Sequence, residues 1–555
     1  LIGCIFVACN TQPTPSDSLK DALACFDTIQ NETRTKAWWF HGETQTTREG
    51  ITADLESLKH AGLGGVVYYD QSHGKAEHAL EGFSPQWWSM LRFAAEEAER
   101  LGLTFEVHIS NGYVAGGKHI GPSQGMKRLV ATERWFEGPG VVEETLEAPV
   151  SSFFKDVVVL AFPAPEGMGL TSDNQERRSW SNVRALKTDP MFSPDETQLA
   201  VIPVQAEPVY VYLEFKTPFT ARSIQYEVRP RGKATTSATN VPAPPQATFV
   251  GTGYRILPDL GQLEVSMDGV RYERVCDLKP IYRAHERWRQ KTISFPAVTG
   301  RFFRLKLHDW WEKDGSKPLE MQLGNIRLNG AAKVDQWEEK AGLFSEYIES
   351  NHTPEYAEAE VIDPARVVDL TQRMDTNGVL RWNVPEGKWM VMRFAYVPTG
   401  ASTKHGRRNL MGLEVDRMSS QAAQYHWEQY VGLLLDSLNR SKSGKLSGVA
   451  MDSHEAGAQN WTDGFMADFA RRRGYHPMTF LPAMWGYVVQ DVSASNGFLF
   501  DVRRNIADMI SENFYGTMDR LCRENGLMFT AQAIGNALSI VGDPIQAKSF
   551  VGKPQ

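Results

Sequence analysis

From residue 34 the chain alternates short apolar runs with longer amphipathic stretches. AWWF (37 to 40) is followed by Ile51, Leu55 and Leu58 at three- and four-residue spacing, then by GGVVYY (64 to 69). A second stretch, with Trp87, Leu91, Ala94, Ala98 and Leu101 on one stripe, leads into TFEVHI (104 to 109). That spacing places apolar side chains on one face of a helix, whereas a short continuous apolar run suits a strand buried on both faces. Strand, helix, strand, helix, strand with short connections predicts a parallel α/β architecture.

The rhythm stops near residue 135. From there to about 400 the chain is rich in Val, Thr and Pro and in alternating runs such as VYVYLEF, QLEVSMDG and RFFRLKLHDWW, so one or two β-sandwich modules are expected as an insertion. LEVSMDGVRYERV followed by GRFFRLKL resembles a galactose-binding-like jelly roll, over about residues 190–330. Near residue 412 the α/β rhythm returns. Trp427, Val431, Leu434, Leu435 and Leu438 share one helix, LSGVAMD (446 to 452) is a strand, and a long helix with Ile506, Ile510, Phe514, Met518 and Leu521 leads to the strand MFTAQA. The predicted fold is a (β/α)8 TIM-type barrel, interrupted by the β modules and incomplete at the C-terminus, because only about five of eight strands are visible and VGKPQ reads as no element. The expected organisation is a signal-peptide remnant (1–9), a linker (10–33), the first barrel part (34–138), the β insertion (139–400) and the second barrel part (401–555).

Composition narrows the function. Apolar residues at 42% and charged residues at 23% describe a globular chain, and a net charge of −8 without a basic stripe excludes nucleic acid as a first choice. LIGCIFVAC resembles the end of a lipoprotein leader, which makes Cys9 the expected lipidation site and places the protein in the periplasm or at the outer cell surface; an ordinary signal peptide is the alternative. The remaining Cys25, Cys276 and Cys522 form neither a disulfide framework nor a zinc motif. Paired aromatics such as Trp38 and Trp39 suit either sugar stacking or core packing.

In parallel barrels the reactive groups sit at the carboxyl ends of the strands. Here those ends carry His41, then Tyr69 and Asp70, then His108 and Asn111, then Asp452, His454 and Glu455. Each alone reads first as a cap or turn residue, but their recurrence at one topological place points to a site. Two carboxylates and an imidazole within four residues can shift one another's pKa, and Asn460 and Trp461 just downstream could hold a pyranose. Glu414 and Asp416 in GLEVDR, with His405, Arg407 and Arg408 upstream, could bind calcium or sugar hydroxyls, or form a salt-bridge network. YVAGGKH is not a phosphate loop, and neither a GxSxG elbow nor HExxH occurs.

TREGITADLESLKHAGLGGVVYYD, GLEVDRMSSQAAQYHWEQY, GVAMDSHEAGAQNWTDGFMADFARRRGYHPMTFLPAMWG and DVRRNIADMISENFYG together resemble glycoside hydrolase family 106, the α-L-rhamnosidases of glycan-degrading bacteria. The resemblance implies a (β/α)8 catalytic barrel with accessory β-sandwiches, calcium dependence, and removal of rhamnose from oligo- or polysaccharides with inversion. It casts Glu455 as the general acid and Asp452, His454 and Trp461 as pocket residues. An inverting enzyme also needs a base, with about 6.5–9.5 Å between the two carboxyl groups. Gln532 stands where a carboxylate is expected and cannot transfer protons, and the family pattern places the partner glutamate after KPQ. The chain is therefore expected to be truncated at both ends, to lack its base and to be inactive as it stands. A barrel glycosidase for another sugar and a non-catalytic glycan-binding surface lipoprotein are the competing readings.

Overall fold

The computed structural model describes residues 33–43, 45–71, 79–195, 197–203, 205, 207–230, 248–250, 254–256, 260–279, 290–308, 321–343, 352–439, 444–452, 454, 457–534 and 541–554. The leader with Cys9, nearly all of the expected linker and Glu455 lie outside the described residues.

The first α/β segment builds β1 (Lys36–His41), α1 (Arg48–His60), β2 (Gly65–Asp70), α2 (Pro85–Arg100) and β3 (Thr104–His108). Both helices begin where the sequence supplies a cap. The Thr47 side chain accepts from the Gly50 N–H, and Ser84 accepts from the Trp87 N–H with Pro85 at the first helical position. Ile51, Leu55, Trp87, Leu91, Ala94 and Ala98 are buried against the sheet, as the spacing predicts. The second segment adds β4 (Gly448–Met451), β5 (Met528–Ala531) and β6 (Lys553–Pro554). The strand order is β1-β2-β3-β4-β5-β6 and every pair is parallel. Among the described residues this sheet is open. Its last strand lies in the VGKPQ tail, where two paired residues are too few to show a period.

Alternate residues of the strands enter different cores. Trp39, Val66, Tyr68, Phe105, Val107, Val449, Met451 and Phe529 join the large cluster under the helices. Val67, Tyr69 and Ala450 form a small separate cluster on the other face, with Trp38 and Tyr113 packed beside them. That inner face also holds the buried Glu106, ion-paired to Lys36.

Two helix expectations need correction. The stripe from Trp427 to Leu438 belongs to two helices, α3 (Ser420–Gln429) and α4 (Val431–Asn439), because Tyr430 leaves helical geometry at φ −129°, ψ −71°. The long helix runs as α5 (Val492–Met509), a π-helical turn at Ile510–Gly516, and α6 (Thr517–Glu524).

Between the two α/β segments lie, among the described residues, two larger antiparallel sheets and a two-stranded hairpin of Thr248–Val250 with Tyr254–Ile256. A seven-stranded sheet is built around the long strands Val209–Pro230 and Gln290–Leu307, whose register shifts bend it, and it encloses its own apolar cluster. A four-stranded sheet joins Lys127–Thr145, Lys155–Pro163, Val379–Pro398 and Val368–Asp369. Val158, Leu160 and Phe162 face the α/β core, whereas Val159 and Ala161 face a third cluster. The strand Lys127–Thr145 runs across residue 138, so the β structure starts about a dozen residues before the expected boundary.

Candidate active site

Four groups of side chains gather at the carboxyl ends of β1 to β5. On the inner face, Trp38 stacks on Tyr69 with ring centroids 5.4 Å apart and 28° between planes, and Phe40, 52% exposed, lies beside both. The Tyr69 hydroxyl donates to Asp452 Oδ2 at 2.6 Å, and its ring meets His108 at 4.3 Å. The Asp452 N–H donates to His108 Nε2 at 3.1 Å, and Nδ1 lies 2.9 Å from the Ser110 carbonyl and 3.2 Å from the Ser110 N–H. Burial lowers the pKa of this ring, with the Ser110 carbonyl and Asp452 opposing the shift. His108 therefore orients Asp452 as a neutral ring. Gln532 ends the neighbouring strand half-buried, its N–H on the Met451 carbonyl.

The second group is Asp70, Asn111 and Arg407. Asp70 accepts from Arg407 Nε at 2.5 Å and from Asn111 Nδ2 at 3.0 Å, while Asn111 Oδ1 accepts the Arg407 N–H. Burial raises the Asp70 carboxyl and Arg407 opposes the shift. The loop reaches this close because residue 406 is glycine: a Cβ there would stand 2.3 Å from Asn111 Oδ1. Asp70 and Asn111 are thus tied into a buried ion pair rather than presented to a ligand.

His41 turns the other way. It is buried, stacked on Tyr68 at 4.5 Å and 17°, and edge-on to Trp39 at 4.2 Å, with Nε2 lacking a partner among the described residues. Burial, reinforced by the charge of Arg407, lowers its pKa to about 3. A histidine whose folded pKa is depressed stabilises the fold above its unfolded pKa of about 6.5 and loses that contribution as pH falls toward the folded value. His41→Phe keeps the stacking and removes the titration. Thermal melts at pH 7 and pH 4 should therefore show a smaller drop in Tm for the variant than for the wild type; equal drops would refute the assignment.

The third group is His454, Arg417 and Glu414. His454 does not pair with Asp452; its Nε2 faces Arg417 Nη1 at 3.3 Å. Burial and then Arg417 press its pKa well down, so it is neutral and brings no proton to Asp452. Glu414 lies 3.3 Å from Arg417 Nη2, and burial raises its carboxyl to about 7 against the pull of Arg417 and Lys404.

The fourth group centres on Asp416. Oδ2 accepts from Lys127 Nζ at 2.7 Å and Thr462 Oγ1 at 2.7 Å; Oδ1 accepts from the Met418 N–H at 3.0 Å and from Gln459 Nε2. Calcium needs six to eight free oxygen donors, and here each carboxylate stands against a buried cation. Glu414 and Asp416 therefore do not fit a calcium site, and the described residues contain no cluster of three or more His, Cys, Asp or Glu able to hold a metal. The salt-bridge alternative describes them, in the core and not at the surface.

Asn460 and Trp461 are structural as well. Asn460 Oδ1 accepts from the Leu129 N–H and its Nδ2 donates to the Ala341 carbonyl, both at 2.9 Å; buried Trp461 stacks on Phe465 at 4.5 Å. Sequence reasoning passed over Phe40, Lys127 and Arg417. The first was legible as the alternate of Trp38 along β1; Lys127 enters only through contacts distant in the chain, and Arg417 through His454 and Gln459 together with its local pair to Glu414.

Comparison with known proteins fits this arrangement. A solved rhamnosidase from Novosphingobium sp. PP1Y superposes with a TM-score of 0.76 at 27% identity, covering 95% of this chain and 48% of that one. A Formosa agariphila protein that carries a beta-glucuronidase name is 23% identical over 510 residues, 91% of this chain and 30% of its own length. The chain thus spans about half or less of these relatives. Residues 27–555 match the alpha-L-rhamnosidase family model, and the chain belongs to that family, glycoside hydrolase family 106.

Proposed function

We propose that the protein is an exported α-L-rhamnosidase that releases terminal rhamnose from plant or bacterial glycans by inversion, with Glu455 as the general acid. The observation that carries this reading is the inner-face group: a carboxylate, Asp452, that accepts from the Tyr69 phenol while its main-chain N–H is held by the His108 imidazole, beside the partly exposed rings of Trp38 and Phe40. An acceptor-only carboxylate next to an aromatic surface is suited to sugar hydroxyls and to the apolar face of a deoxy sugar. Glu455, three residues after Asp452, protonates the departing oxygen while a base activates water on the opposite face. Gln532 contributes hydrogen bonds and not proton transfer.

In the same reading two further strands close the six-stranded sheet into an eight-stranded barrel. Residues 34–138 and 401–555 are its parts, 139–400 are sandwich modules inserted between them, and Cys9 is the lipid anchor. The calcium implied by the family takes no ligands from Glu414 and Asp416, and no step is routed through it.

The name of the Formosa agariphila relative supports a second reading, a uronic sugar in the same pocket. Matched aryl α-L-rhamnosides and aryl β-D-glucuronides, offered to the full-length natural protein, separate the two. Release from the rhamnoside alone is expected; release from the glucuronide alone would replace the reading.

A further inference from the structure

We propose that the outer face of the seven-stranded sheet is a second glycan-binding surface, built for acidic, uronate-bearing chains. Along Val209–Pro230 and Gln290–Leu307, the side chains of Val211, Leu213, Phe303 and Leu305 enter the apolar cluster of this sheet, so the residues between them take its other face. There the strand register lines up Trp180, Tyr212, Arg304, Glu264 and Arg274 in a single row across successive strands.

The row is an ordered stack. Trp180 lies on Tyr212 with ring centroids 5.3 Å apart and 9° between planes, and Tyr212 meets Tyr210 and Tyr272, each at 6.2 Å. The Arg304 guanidinium lies over the Tyr272 ring at 3.8 Å and the Tyr210 ring at 4.8 Å, and it is paired to Glu264. Trp180 stands at the edge of this array. Its strand, Arg177–Ser181, pairs among the described residues only with Val209–Pro230, and its indole is 38% exposed. Such a ring offers a surface to the apolar C–H face of a pyranose.

Charge selects the kind of glycan. Arg178, whose side chain is 75% exposed, lies over the Trp180 ring at 5.3 Å and is paired to Glu214; Arg301, 48% exposed, reaches the same carboxylate at 2.7 Å. One carboxylate balances only one of these two guanidiniums. Lys306, opposite Tyr210 in the register, adds a further positive charge, in a chain whose net charge is −8. A guanidinium fork matches a carboxylate in two parallel hydrogen bonds, so a uronic sugar would use both the indole and the unbalanced arginine. Exposed ion pairs stabilise a fold little, and stability alone does not account for the arrangement. Trp, Tyr and Arg also mark protein interfaces, but membership in a glycan-hydrolase family favours a glycan here.

The test is affinity electrophoresis of the full-length natural protein through gels containing polygalacturonate or neutral dextran. Polygalacturonate should retard the wild type and dextran should not, and added salt should weaken the retardation. Trp180→Ala should reduce the apparent affinity by about 5- to 10-fold, and the charge reversal Arg178→Glu by at least as much. Both substitutions lie on an exposed face, so thermal melts should match the wild type. No retardation of the wild type, equal retardation by dextran, or retardation that both variants leave intact would overturn the proposal. Self-association that Trp180→Ala abolishes in sedimentation would overturn it in favour of a contact between copies. The readout is binding and not turnover, so its outcome is separate from the assignment of Glu455.

Discussion

Asp416→Ala is expected to destabilise the folded protein by about 3–5 kcal/mol, the usual cost of removing one partner of a buried ion pair. Lys127 and Asp416 are both buried and 2.7 Å apart, and the Lys127 ammonium also donates to the Gly125 carbonyl at 3.1 Å. Removing the carboxylate leaves an ammonium without a counter-ion and takes the acceptor from Thr462 Oγ1 and the Met418 N–H and one of two from Gln459 Nε2. The double variant Asp416→Leu with Lys127→Met removes both charges and should recover a large part of the loss. Denaturant unfolding of the single and double variants gives the comparison. A change below about 0.5 kcal/mol for Asp416→Ala, typical of an exposed surface substitution, would contradict the reading.

The place of this pair gives it its weight. Lys127 opens the first strand of the four-stranded sheet, Asp416 follows the return from that sheet, and Gln459 and Thr462 lie just past the Glu455 loop. One carboxylate therefore joins the four-stranded sheet to the segment that follows β4. Asn460 does the same work with an amide, bridging Leu129 and Ala341.

These links explain what could be read from the sequence and what could not. The parallel strands and the buried faces of α1 and α2 were legible because their period is local, as was the return of the pattern after the β region. The end of β4 was legible because polar residues close an apolar run there. Tyr69, His108 and Asp452 meet as that rule implies. The rule does not say which face a residue takes when both faces are apolar: His41 ends its strand as Tyr69 nearly ends the next, yet the pleat sends it toward Tyr68. Glu414 and Asp416 looked like oxygen ligands because the cation opposite Asp416 is 289 positions away. Trp337–Lys340 is a short helix of one tryptophan and three charged residues, all buried, with Glu339 paired to Lys291 at 2.8 Å. Nothing local distinguishes it from a solvated turn.

The π-helical turn did leave a trace. Ile506, Ile510, Phe514 and Met518 repeat at four for three turns, and on a regular α-helix this spacing drifts the stripe by about 120°. All four are buried, which the wider turn at Ile510–Gly516 permits.

The second large effect concerns chemistry. Glu455→Gln keeps the shape of the side chain and removes its proton, so kcat toward unactivated rhamnosides should fall by about 10²–10⁴-fold. Binding should change little, because Asp452, Tyr69 and Trp38 are untouched. A loss confined to KM would instead make Glu455 a binding residue. The pH profile should also lose its alkaline limb, which reports deprotonation of the acid.

The most direct test is therefore the dependence of kcat/KM on leaving-group pKa for a series of aryl α-L-rhamnosides, measured on the full-length wild type and on Glu455→Gln. The account predicts a shallow dependence for the wild type and a steep one for the variant, whose activity approaches the wild-type value only with the most acidic phenols. Parallel slopes, with the variant uniformly slower, would show that Glu455 does not protonate the departing oxygen and would contradict the central assignment.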